Sequence, residues 1–294
     1  MTIETPSRET LLTLVNRSPA AVAVHDRAAW IAIFARYNVV EDPVGSAAHV
    51  SGVFDARSGR RGSGPLERFF DTFIAPNTIQ FQVERDVVCA HDVVRDLTIE
   101  ITMAEGVTVR VPMHLLYECQ LEGAEWKIVR LAAHWELMPM IRQVMECGRA
   151  AWPVLLQLGW RMFRIQGMGG MLGFSRGFLG IGMKGKDTVH RFVDAVNTAQ
   201  PVRVFDLFAA RNRGIRCPVG EASVSPDQFV NALGGMQMRV EKLLVAGYTV
   251  SASITMEQSG ERHQGVAFFE FDRREKRLER VDIYWDREGS VHVG

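Results

Sequence analysis

The chain has 294 residues, with Lys+Arg and Asp+Glu both at 34 and a formal net charge of zero. That balance argues against a nucleic-acid partner, which needs a basic face to neutralise phosphates. A composition 47% hydrophobic and 23% charged excludes a disordered chain, and the length suits two domains of ordinary size. The cysteines Cys89, Cys119, Cys147 and Cys217 are far apart and form no C-x-x-C pair, so neither a zinc or redox motif nor a disulfide framework is expected. Reduced thiols in a cytoplasm are the simplest reading. No His/Asp/Glu set has metal spacing, and neither a metal nor a cofactor is expected. The first residues, M-T-I-E-T-P-S-R-E-T, carry acids and no apolar core, so no signal peptide is expected. No uninterrupted apolar run reaches the roughly 18 residues of a membrane span.

Residues 9–37 are predicted helical: Leu11, Leu12, Leu14 and Val15, then Ala21, Val22 and Val24, then Trp30, Ile31, Ile33 and Phe34 recur at helical spacing. Pro19 predicts a break near the middle. A short strand at 39–43 stops at Pro43. Residues 45–64, rich in Gly, Ser and Arg, read as loop. Residues 65–74 form a short amphipathic helix with Pro65 at its start. Long strands are predicted at about 78–90, 92–104, 107–121 and 126–137, with a hairpin turn at A-E-G-V. Helices ahead of an antiparallel sheet indicate α+β, with helices packed on one face of a curved sheet.

The same order returns later. Residues 187–209 read as helical, followed by G-I-R-C-P-V-G, a helix at about 226–234, and strands near 237–246, 248–257, 263–271 and 277–286. E-D-P-V-G at 41–45 matches R-C-P-V-G at 216–220, and A-H-W-E at 133–136 matches I-Y-W-D at 283–286. Two matches in the same relative order favour an internal duplication. The expected boundaries are a first domain at 1–137, a helical linker at 138–186 and a second domain at 187–294. The linker holds seven of the thirteen methionines and no acid between Glu146 and Asp187. An amphipathic helix over 139–165, kinked at Pro153, is predicted there. G-M-G-G-M-L-G-F-S-R-G-F-L-G-I-G is too glycine-rich for a stable isolated helix. The segment reads as an interdomain helix; peripheral contact with a membrane surface is the alternative.

The segment V-E-D-P-V-G-S at 40–46 resembles the catalytic segment of bacterial Δ5-3-ketosteroid isomerases. The helix H-D-R-A-A-W-I-A-I-F-A-R-Y-N-V leading into it and the last strand, ending at Trp135, fit the same family. The resemblance covers roughly residues 10–137. It implies two tandem cone-shaped NTF2-like (SnoaL-like) α+β barrels. It also implies that Asp42 is the base that moves a proton on a hydrophobic ketone such as a steroid or polyketide. This chemistry needs a carboxylate in an apolar cone and donors facing the oxygen of the dienolate.

By alignment to that family, its first donor tyrosine falls at Ser18. Its protonated aspartic acid falls at Tyr117 counting back from Trp135, or at His114 counting forward from Pro112. Strand parity favours Tyr117, which shares a face with Met113 and Leu115. A further tyrosine position falls at Phe70. Tyr37 is expected at a helix end, Trp135 as a pocket wall, and His134 on the opposite, exposed face. In the second unit the base position is Cys217 and the donor position Ala267. Phe269 and Trp285 would line a second, non-catalytic pocket with Cys217. The expected partner is a hydrophobic small molecule; a homodimer is left open. A non-enzymatic binding protein for a sterol or lipid, or an interaction scaffold with filled cones, are the other readings.

Overall fold

The structure, a computed structural model, describes residues 6–52, 64–210, 214–258, 261–285 and 291–292. It divides into two compact units, Met1–Asp86 with His91–Phe178, and Val87–Ala90 with Leu179–Gly294. Each has the expected α+β order. Residues 138–178 of the segment predicted as a linker therefore belong to the first unit.

Helix α1 (Arg8–Ala23) is capped by Ser7, whose Oγ accepts from the Thr10 amide at 3.1 Å. Leu11, Leu14, Val15, Ser18 and Val22 form its buried stripe. The predicted break at Pro19 does not occur, and the helix runs through to Ala23. His25, at φ 53°, then turns the chain into the left-handed region, where a helix cannot continue. Asp26 restarts the chain by accepting from the Ala29 amide at 2.9 Å, capping α2 (Arg27–Ala32). Strand β1 (Phe34–Glu41) follows directly. The prediction of helix to residue 37 is thus corrected, and Tyr37 stands on a strand, 57% exposed.

After β2 (His49–Ser51), α3 (Gly64–Phe69) runs into a π-helical turn at Phe70–Ile74. Residues 53–63 of the predicted loop lie outside the described residues. Strands β3 (Thr78–Cys89), β4 (Asp92–Ala104), β5 (Val107–Glu122) and β6 (Glu125–His134) match their predicted ranges closely. The sheet order is β2-β1-β6-β5-β4-β3, with β1 parallel to β6 and the β4–β5 and β5–β6 pairs antiparallel. Helix α1 packs against β4 and β6.

Three further helices follow: α4 (Leu137–Glu146), α5 (Ala151–Arg161) and α6 (Gly167–Ser175). The break falls at Cys147–Ala150, not at Pro153; the proline lies in the first turn of α5, where no helical bond needs its N–H. Glycine-rich α6 is held by close packing. A Cβ at Gly173 would lie 2.5 Å from the Ala47 Cβ, and the Ala47 amide donates to the Gly173 carbonyl at 3.0 Å. Phe174 stacks on Phe73, ring centroids 5.8 Å apart. Tertiary contact overrides the low helix propensity. No described helix is long and apolar enough to cross a membrane.

The second unit repeats the pattern with α7 (Met183–Asn197), α8 (Pro201–Phe205), β7 (Gly214–Arg216) and α9 (Pro226–Leu233). Strands β8 (Gln237–Ala246), β9 (Thr249–Gln258), β10 (Glu261–Phe271) and β11 (Leu278–Trp285) follow, and β12 (Val291–His292) pairs with β10. The order is β7-β11-β10-β9-β8, with β7 parallel to β11 as β1 is to β6. The Val44 amide donates to Ala133, and the Val219 amide to Ile283, both at 2.9 Å. The duplication read from the sequence is therefore one of structure.

Candidate functional site

The first sheet encloses a cavity of about 140 Å³. Its wall is the inward row of β5, including Val111, Met113, Leu115 and Tyr117, with Ile99 and Ile101 of β4 and Leu131 of β6. Phe69, Phe73 and Ile74 close one side, and Met140, Val154, Leu158 and Phe174 reach in from α4–α6. These three helices therefore form a cap on this cavity. Polar groups are few: Ser18, Asp42, Asn77, Tyr117, the Trp135 indole and Arg161.

Strand alternation delivers Asp42. Val40 is buried, and Glu41 turns the other way to accept from Arg130 Nε at 2.7 Å. Asp42 then faces the cavity. As a residue it is half-buried, because its remaining accessible surface faces the cavity it lines. Burial pushes its carboxyl up from 3.8 to about 6, against the opposing pull of a hydrogen bond from Trp135. That bond runs from Trp135 Nε1–H to Asp42 Oδ1 at 2.6 Å. Trp135 is thus a wall and also the carboxylate's donor. Their separation of 93 positions in the chain hid this contact from sequence reading.

Tyr117 is 1% exposed, and its hydroxyl has no hydrogen-bond partner. Burial pushes its phenol up to about 12, opposed by the Arg95 guanidinium and by Ser18. Ser18 is within electrostatic reach, but no aligned bond joins the two hydroxyls; the Ser18 Oγ accepts from Trp30 Nε1 at 3.3 Å. Tyr117 is therefore a neutral, unoccupied donor inside the cavity that Asp42 lines.

Arg95 was missed by sequence reading. It is 1% exposed on β4, held by Asp86 at 2.7 and 2.8 Å and by Asn16 Oδ1 at 2.6 Å. Burial opposes its charge, but the Asp86 bonds and the Tyr117 and Asp86 fields outweigh that and raise its pKa. The signal was present in V-V-R-D-L-T-I, a charge inside an apolar strand run, since a buried arginine needs an acid partner.

Other predicted residues fall differently. Phe70 is 2% exposed and packs on Trp30 with centroids 5.7 Å apart; its neighbours Phe69 and Phe73 line the cavity instead. Tyr37 is on the surface, beneath the Arg36 guanidinium at 5.7 Å, and outside the cavity lining. His114 is buried, with its Nε2 3.5 Å from Asp96 Oδ1, and is not a lining residue. His134, expected exposed, is 3% exposed because it sits across from buried His114 on β5. Burial first, then the Arg130 charge, pushes its imidazole down to about 3.

In the second unit the corresponding residues sit in or against a hydrophobic core. Phe269 and Ala267 are fully buried in a core with Phe192, whose ring meets Phe269 edge-on at 5.3 Å. Cys217 and Trp285 are partly buried and pack against that core.

No family model matches the chain, and no curated protein matches it. Among solved structures it is similar to Δ5-3-ketosteroid isomerase from Mycobacterium sp., with 28% identity over 45% of this chain and 95% of that one, at TM-score 0.36. It is also similar to a Mycobacterium tuberculosis protein solved with estradiol-17beta-hemisuccinate, with 27% identity over 45% of this chain and 96% of that one, at TM-score 0.36. A third is an M. tuberculosis LEH-like epoxide hydrolase, with 14% identity over 51% of this chain and 98% of that one, at TM-score 0.38.

Proposed function

We propose that the first unit moves a proton within a hydrophobic ketone, with Asp42 as base and Tyr117 as the donor to the carbonyl oxygen. The observation that carries this reading is the pairing of a desolvated carboxyl with an unpartnered buried phenol in one apolar cavity. A carboxyl raised to about 6 is still mostly ionised at neutral pH, and it is a stronger base than an ordinary carboxylate. It takes the proton from the carbon beside the carbonyl and returns it to another carbon of the same molecule. Tyr117 stays protonated throughout and donates to the oxygen on which charge develops. Trp135 holds one carboxylate oxygen and leaves the other for the substrate.

An apolar cavity of about 150 Å³ suffices for benzene, and this one, at about 140 Å³, is of that order. A polycyclic ketone therefore needs side chains lining the cavity to move, and Met140 of α4 is an adaptable one. The direct test is incubation with a Δ5-3-ketosteroid, reading the ultraviolet absorbance of the conjugated product. Asp42→Asn should lower turnover about 10²–10⁴-fold; unchanged turnover would sink the assignment of the base.

A second reading is a carrier of apolar ligands without turnover. It is favoured by the single buried phenol, since the family's other donor position is held by the shorter Ser18, whose Oγ accepts from Trp30 Nε1. In that case apolar ketones raise the melting temperature, and Asp42→Asn changes neither this shift nor any product formation.

A further inference from the structure

Arg161 is unlike every other group in the cavity wall. It ends α5 and reaches the cavity from the cap. Its Nε is sealed from solvent and has no hydrogen-bond partner, and no ion pair to it is found among the described residues. Its own segment offers none, since there is no acid between Glu146 and Asp187. Burial alone moves its pKa, downward, with no acid to oppose it. Asp42, just past the end of β1, lines the same cavity.

Both groups therefore lie on the wall of one apolar space. Its lining row on β5 runs from Val111 to Tyr117, on the order of 20 Å of strand. Helix α4 of the cap is pinned near Val111, where Gln143 donates to the Arg110 carbonyl and accepts from its amide, both at 2.8 Å. Arg161 is partly exposed, so water reaches the rest of its guanidinium, and the sealed Nε is the donor left without an acceptor. Planar oxyanions suit its fork of donors.

We propose that Arg161 is an anion subsite, and that the cavity's ligand is an elongated apolar molecule carrying a carboxylate or similar oxyanion on the part held under the cap. This rests on the reading of the cavity as an apolar-ligand site and adds the ligand's charge and orientation. The apolar body points towards Asp42 and Tyr117, and the acid group stays with Arg161. A repulsive contact between the ligand's anion and Asp42 is thereby avoided.

The test uses the full chain and two fluorescent probes with the same aromatic body, anilinonaphthalene sulfonate and uncharged N-phenylnaphthylamine. The wild-type protein should bind the sulfonate about tenfold or more tightly than the neutral probe. Arg161→Gln should abolish that preference while keeping affinity for the neutral probe, and Arg161→Lys should keep most of it. Leu158→Trp, which fills the cavity, should weaken both probes and so locate them. Equal affinities in the wild type, failure of the sulfonate to bind, or a preference that survives Arg161→Gln would each overturn the proposal. Turnover of an uncharged ketone judges Asp42 separately, so either reading can fail without the other.

Discussion

Asp42→Asn should make the protein more stable near neutral pH, even as it removes the proposed base. Burial holds the Asp42 carboxyl at about 6 instead of 3.8. At 1.36 kcal/mol per unit, ionising it in the folded chain costs about 3 kcal/mol more than in the unfolded chain. The cavity leaves the residue partly accessible, so about 1–3 kcal/mol is the range to look for. The sign follows from proton binding. Between pH 3.8 and about 6 the folded state holds this proton and the unfolded state has lost it, so stability falls as pH rises. The penalty is absent below this window and complete above it. Asparagine keeps the shape, accepts from Trp135 through its amide oxygen, and never ionises. Urea unfolding of the two proteins, followed by tryptophan fluorescence, should show the variant more stable at about pH 7.5. The difference should shrink towards zero near pH 4. An Asp42→Asn protein that is less stable, or whose advantage does not change with pH, would refute the account of a desolvated carboxylate.

Trp135→Phe removes a charge-assisted hydrogen bond worth about 1.5–3 kcal/mol, so the Asp42 pKa should rise by about 1–2 units; carboxyl titration by NMR checks it, and an unchanged or lower value contradicts it. Tyr117→Phe should remove an unpaired buried hydroxyl and so raise the melting temperature, while turnover falls about 10²–10³-fold. Gly173→Ala should destabilise the cap by about 1–3 kcal/mol, because the new Cβ would meet Ala47 at 2.5 Å; a thermal melt reads it.

The strands were the most legible part of the fold, because alternation along β3–β6 and β8–β11 has a period that little else imitates. Parity along β5 also put Tyr117 on the cavity face, since the alternation Met113, Leu115, Tyr117 survives in the sheet. The passage from α1 to β1 was not legible. R-A-A-W-I-A-I-F-A-R-Y satisfies helical and strand spacing together, and the deciding features were the left-handed turn at His25 and the Asp26 cap. The cap was hidden for a different reason. Its glycines read as weak helix, but Gly173 and Phe174 are placed by Ala47 and Phe73, far away in the chain. The contacts that tune the site are likewise non-local, joining Trp135 to Asp42 and Asn16 to Arg95. A sequence can show that such residue types are present, but not which pairs the sheet brings together.

The central claim is that Asp42 is a base whose pKa is set by its cavity. It is tested most directly by the pH dependence of kcat/KM for isomerisation of a Δ5-3-ketosteroid by the full chain. The account predicts a rate that rises with pH through one inflection near 6 and then levels off, and that is lost in Asp42→Asn. An inflection near 4, or a profile that Asp42→Asn leaves intact, would contradict it.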